Sequence, residues 1–121
     1  MITGIMARNI PYIPITLGLG NSVQRIIVVL DTGFTGDVLV TPQVADELGL
    51  KTIGVASMQI ADGTKAPFPT SYAFATMEGS ISSVNVLISK GMPLVGIGFL
   101  SKFGYKATVD CKHRTVVIQK S

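Results

Sequence analysis

The sequence holds one cysteine, Cys111, one histidine, His113, and no tryptophan. A single cysteine excludes an internal disulfide, and with His113 it falls far short of a zinc ligand set. One histidine, in what reads as a terminal turn, leaves no credible Ser/His/Asp constellation. Charge is scarce too: Asp, Glu, Lys and Arg make up 14% of the chain, against about 25% in an average protein. No apolar run approaches the roughly 20 residues that cross a bilayer. The first residues lack the basic start and apolar core of a signal peptide. The expected setting is cytoplasmic and reducing, with no membrane partner. The net charge is a mild +3, with basic residues thickening toward the end at Lys102, Lys106, Lys112, Arg114 and Lys120. Without interleaved aromatics these read as a solvated terminal hairpin and not as a nucleic-acid surface.

What is present is apolar: 47% of the 121 residues. That is one domain, residues 1–121, with a real core of modest size. So little charge points to surface covered by a partner, most often a second copy of the same chain. Residues 1–11 read as a loose arm. Tyr12 to Leu19 alternates as a strand in which Pro14 demands an edge or a ladder-free position. Val23 to Leu30 returns as a more buried strand. Val38 to Val40 is a short strand, followed by a helix over Pro42 to Leu48 with Thr41 as N-cap and Gly49 as the residue that ends it. Beyond Thr52 the pattern is β again: a hairpin from Val55 to Ile60 and Thr64 to Phe68 about Asp62-Gly63, and another from Ser71 to Thr76 and Ser80 to Ile88 about Glu78-Gly79. Gly91-Met92-Pro93 breaks the chain. A short helix over Phe99 to Phe103 precedes a last hairpin of Lys106 to Val109 and Thr115 to Gln119. The fold class expected is all-β, a closed barrel of many short strands with one main helix and a short C-terminal one.

The chemistry concentrates at IIVVLDTGFTG, residues 26–36. Five apolar residues hold a strand rigidly and deliver Asp31 to its end. Thr32 adds a hydroxyl, and Gly33 gives clearance for close approach to the carboxylate. Two such carboxylates brought within a few ångströms cannot both ionise near neutrality and share a proton. The ionised one then acts as base on a water while the protonated one donates to a carbonyl oxygen, which is hydrolysis without metal or cofactor. Two glycine patterns are decoys. Gly96-Ile97-Gly98 opens a helix as a dinucleotide fingerprint does, but lacks its third small residue and the room for a βαβ unit. Gly18-Leu19-Gly20 leads into a strand and is turn chemistry.

In Leu30-Asp31-Thr32-Gly33 the chain resembles the active-site loop of the single-domain, retropepsin-like aspartic proteases. Ala61-Asp62-Gly63-Thr64 falls where that family has its flap hairpin and matches a stretch common in bacterial and archaeal members. Leu94-Val95-Gly96 matches the later apolar–apolar–Gly element, and the short helix follows it as in the family. The helix after Asp-Thr-Gly resembles the bacterial and archaeal branch more than the retroviral enzymes. The resemblance spans roughly residues 12 to 119.

It implies a homodimeric endopeptidase acting on peptides or proteins. Asp31 would be its catalytic residue, and Thr32, Gly33 and Thr35 would support the loop. Phe34, Ala61, Asp62, Gly63, Thr64, Val95, Gly96 and Ile97 would line the substrate, in an apolar cleft. Asp31 is the one aspartate in this context; Asp37, Asp46, Glu47, Asp62, Glu78 and Asp110 lack it. Retroviral relatives carry an acid at the position of Thr35 and an arginine at that of Ile97, a pair that ties dimer and substrate backbone. Pepsins have a serine at the position of Thr35, whose hydroxyl steadies the carboxylate. The rival reading is a dimerisation or binding module of the same fold with little or no proteolysis.

Overall fold

Alternation builds the first hairpin. In β2 (Ile10–Leu19) the side chains of Ile13, Ile15 and Leu17 point inward and are fully buried. β3 (Ser22–Leu30) lies antiparallel to it, from Tyr12↔Val29 to Leu19↔Ser22, and buries Val28 and Leu30. The computed structural model describes residues 1–59 and 62–121.

The loose arm expected over residues 1–11 is instead a strand. β1 (Ile2–Ala7) pairs with β2 through Ile5↔Tyr12 to Ala7↔Ile10, across a tight turn in which Arg8 and Asn9 adopt positive φ. Its other edge pairs with β10 (Thr115–Lys120), while Ile2 and Met6 pack on the core. Gly4 makes the segment read as irregular, yet it is what lets the strand sit there: a Cβ would stand 1.9 Å from the Tyr12 carbonyl oxygen. Pro14 also finds its place. On the edge of β2 away from β3, β1 pairs with Ile10 to Tyr12, and the next partner pairs only from Thr16. The proline faces that gap, where no N–H is needed.

That next partner is β6 (Lys65–Met77), a continuous 13-residue strand where two shorter ones are expected. Pro67 and Pro69 suggest a break. They are tolerated because this part of β6 pairs only with β5 (Gly54–Gln59), the pairing with β7 (Ser80–Ile88) beginning at Thr70. The β5–β6 register ends at Gln59↔Lys65, and the expected strand end at Ile60 lies outside the described residues. The Glu78-Gly79 turn is the expected two-residue one, with both φ values positive.

β4 (Val38–Val40) and α1 (Pro42–Leu48) appear where expected. Thr41 Oγ1 accepts from Val44 N–H, and Gly49 closes the helix at φ +74°. β8 (Leu94–Val95) runs parallel to β3 and antiparallel to β4. α2 (Ile97–Phe103) begins two residues before the expected start, and β9 (Tyr105–Asp110) pairs with β10.

The ten strands form one sheet in the order β5-β6-β7-β4-β8-β3-β2-β1-β10-β9. The β2–β6 pairing closes its middle, β6-β7-β4-β8-β3-β2, into a ring, while β5 extends from β6 and the run β1-β10-β9 extends from β2. Side chains such as Ile15, Leu17, Val38, Ala75, Val86 and Val95 fill the interior, and Phe99 of α2 completes it. No helix among the described residues is long and apolar enough to cross a membrane.

Candidate active site

β3 ends at Leu30 between β2 and β8, and its ladder continues one step: Asp31 N–H donates to Val95 C=O at 2.9 Å. The chain then turns, with Phe34 N–H donating to Asp31 C=O at 3.1 Å. Asp31 is half-buried, and its Oδ1 accepts from Gly33 N–H at 2.9 Å. A side chain at Gly33 would crowd that oxygen, with a Cβ only 3.2 Å away. Thr32, Gly33 and Thr35 are exposed. Thr35 makes no hydrogen bond to Asp31 among the described residues; the backbone of Gly33 supplies the steadying donor.

The rest of the loop caps α2. That helix starts at Gly96 with no side-chain cap. Its first amides turn back onto the loop: Gly96 N–H to Asp37 C=O (3.1 Å), Ile97 N–H to Phe34 C=O (2.9 Å) and Gly98 N–H to Gly36 C=O (3.1 Å). Donors that a helix leaves orphaned at its start are thereby satisfied by the loop it carries. The approach is close enough to require glycine. A Cβ on Gly96 would lie 2.1 Å from the Phe34 carbonyl oxygen, and one on Gly98 would lie 2.3 Å from Asp37 Oδ1. The Gly96-Ile97-Gly98 decoy thus has a structural use.

A cleft of about 590 Å³ opens beside Asp31. Gly33, Phe34 and Thr35 form its floor, and Ser57, Met58, Gln59 and Phe68 of the β5–β6 hairpin stand over it. Leu39, Leu87 and Leu94 supply the remaining apolar wall. Among the described residues no group of three or more His, Cys, Asp or Glu side chains converges. A half-buried carboxyl group at the mouth of a largely apolar cleft suits acid–base chemistry on a largely apolar ligand.

Comparison with solved structures gives two instructive neighbours. A retropepsin-like aspartic protease from Rickettsia conorii superposes with a TM-score of 0.67 at 17% identity, covering 98% of this chain and 89% of that one. The EIAV protease, in complex with the inhibitor HBY-793, superposes with a TM-score of 0.65 at 14% identity, covering 84% of this chain and 94% of that one. The chain has the retropepsin-like fold. No family model and no curated protein matches the sequence.

Within the retropepsin-like fold the expected site residues divide. Asp31, Gly33, Phe34 and Thr35 meet at the cleft, and Phe34 also buries most of its ring against Gly36. Val95 and Gly96 are buried behind the loop and touch no open space, so they support it and do not line the cleft. Ile97 is 43% exposed but outside the cleft wall. Asp62, Gly63 and Thr64 sit at the hairpin tip, away from the lining; Ala61 lies outside the described residues. At that tip Asp62 Oδ1 accepts from both the hydroxyl and the N–H of Thr64 (2.6 and 2.9 Å), which hold its carboxyl below the usual range, the hydroxyl more strongly.

Leu94, of the Leu94-Val95-Gly96 element, is the member of that element that lines the cleft; the lining residues that sequence reasoning missed are Leu39, Ser57, Met58, Gln59, Phe68 and Leu87. Period-two alternation in β5 and β6 was a usable signal for Met58 and Phe68. Nothing in the sequence points at Leu39 or Leu87, which reach the cleft only because β4 and β7 run parallel in the ring. Two basic residues are also placed differently from expectation. Lys102 lies on α2, bound to Asp37, and Lys120 donates to Phe103 C=O at 2.7 Å and rests over the Tyr105 ring. Neither belongs to a solvated hairpin face.

Proposed function

We propose that the chain is an aspartic endopeptidase that hydrolyses peptide bonds as a homodimer. The observation that carries this is Asp31 at the mouth of an apolar cleft, on a loop whose tip, Thr32 and Gly33, is exposed while its base is tied to β8 and α2. One chain offers one such carboxylate. A second copy related by a two-fold axis through the loop tips brings the partner Asp31 alongside. Two carboxyls so close share one proton between them. The ionised member removes a proton from the water as its oxygen bonds to the scissile carbonyl carbon, and the other protonates the carbonyl oxygen, giving a gem-diol. The second carboxylate then takes a proton from the gem-diol while the first protonates the leaving nitrogen, the C–N bond breaks, and the pair returns to its starting state. Thr32 reaches across to the partner loop, and exposed Ile97 is apolar surface for the same contact. Leu39, Met58, Phe68, Leu87 and Leu94 favour apolar side chains beside the cleaved bond. No cofactor takes part. A cytoplasmic setting suits a lone, exposed Cys111.

The test compares wild type with Asp31→Asn on a denatured protein substrate, from about pH 4 to about pH 7. Loss of cleavage by a factor on the order of 10³ or more is expected for the variant. Equal cleavage by both proteins sinks the reading. A protein that stays monomeric and cleaves nothing would instead be a binding module, for which the absence of the retroviral acid–arginine pair at Thr35 and Ile97 speaks.

A further inference from the structure

Asp37 is one of two buried polar side chains among the described residues, and the only charged one. Its Oδ2 accepts from Lys102 Nζ at 2.7 Å and from the backbone N–H of Asn85 at 2.8 Å. The Lys102 ammonium also donates to Ser83 C=O at 3.1 Å. Asp37 Oδ1 packs against Gly98 so closely that no side chain fits there, and its backbone carbonyl receives Gly96 N–H. One residue thus joins the end of the Asp31 loop to α2 and β7. Between the two pinned ends, Asp31 on Val95 and Asp37 on α2, the loop contains Gly33 and Gly36, each adding backbone freedom that must be restrained.

We infer that Asp37 and Lys102 are positioning residues: their ion pair clamps the Asp31 loop onto α2 within each subunit and sets where the carboxylate points. This rests on the protease reading. The pair joins loop and C-terminal helix with residues other than Thr35 and Ile97, and it lies inside one chain. The half-site is therefore shaped before any partner arrives. The Lys102 side chain is 34% exposed and that of Asp37 7%. Removing the lysine strands a buried carboxylate with the Asn85 amide alone, which drives the loop end to reorganise.

The experiment uses Lys102→Met and Lys102→Arg in the full chain, with kcat, KM, the enzyme concentration at half-maximal specific activity, and amide exchange at Gly96, Ile97 and Gly98. For Lys102→Met, kcat falls about 10- to 100-fold, as a displacement near 1 Å of a catalytic group does. KM and the half-maximal concentration stay within about threefold, because substrate wall and dimer contacts are untouched. Lys102→Arg restores kcat to within about threefold of wild type, since a cation still reaches Asp37. Exchange at the three amides rises about tenfold in Lys102→Met and not in Lys102→Arg, the mark of a released loop end. Unchanged kcat in Lys102→Met overturns the clamp, as does a loss that follows dimer dissociation. If wild type cleaves nothing, the protease reading fails by itself, and unchanged amide exchange in Lys102→Met then overturns the clamp. If Lys102→Met does not fold, Lys102→Gln, which keeps a donor and loses the charge, takes its place under the same criteria.

Discussion

The two sides of the cleft are held by opposite means. On the Asp31 side, loop, β8 and α2 are joined by a short run of backbone hydrogen bonds, two glycines that admit no side chain and an ion pair whose carboxylate is buried. On the other side, β5 has no fully buried residue and pairs along one edge only, and the tip beyond it is held by Asp62 and Thr64 of its own turn. Local stability follows buried contacts and protected hydrogen bonds. The comparison teaches that the half bearing Asp31 is built to keep its geometry. The half standing over the cleft is built from exposed strand that can yield to a ligand.

Glycine substitution breaks this comparison most sharply. Gly96→Ala drives a methyl into the Phe34 carbonyl oxygen, which the loop cannot escape without losing its bonds to α2. The expected cost is about 3 kcal/mol, at the upper end for overpacking, read as a lowered urea midpoint, with proteolysis falling in parallel. Gly63→Ala, at the hairpin tip, meets open space but sits at φ +87°. It is expected to cost only about 1 kcal/mol, the strain of a left-handed alanine, with kcat nearly unchanged. Equal costs at the two sites would erase the distinction. On the hairpin side, Met58→Ala should leave stability within about 0.5 kcal/mol, as partly exposed positions do. It should raise KM several-fold for substrates with large apolar side chains, measured on a peptide series.

The smallest effect is at the tip. The folded carboxyl of Asp62 is held low, so whatever it adds to local order is present above its ordinary range and is lost as pH falls through the lowered value. Thr64→Val removes the larger of the two donors and keeps the backbone one. The carboxyl should then titrate closer to the ordinary 3.8, as followed by carbon NMR of the side chain. No change would mean that the turn's backbone alone sets the tip.

How much could be read in advance depended on distance along the chain. α1 was legible because its signals, Thr41, Pro42 and Gly49, are local and each has one mechanism. The Glu78-Gly79 hairpin and Asp31 at the end of β3 were legible for the same reason. β1 was not, because Gly4 removes a side chain from the alternation for a reason that lies at Tyr12. β6 was not read as continuous, because prolines count against a strand unless one edge is free. Asp37 looked like one more loop acid, since neither Lys102 nor Asn85 is near it in sequence.

From the sequence alone came the all-β character, the placement of the aspartate at the end of a buried strand, and the scarcity of any other catalytic chemistry. These depend on neighbours within a few residues and on composition, where propensity and pattern act directly. Only the tertiary structure decided that Val95 and Gly96 stand behind the loop and not in the cleft, that Leu39 and Leu87 form its wall, and that α2 is capped by the loop it supports. Each of those turns on how closely two distant segments approach. That separation is set by the packing of the whole sheet, and no spacing within one segment records it.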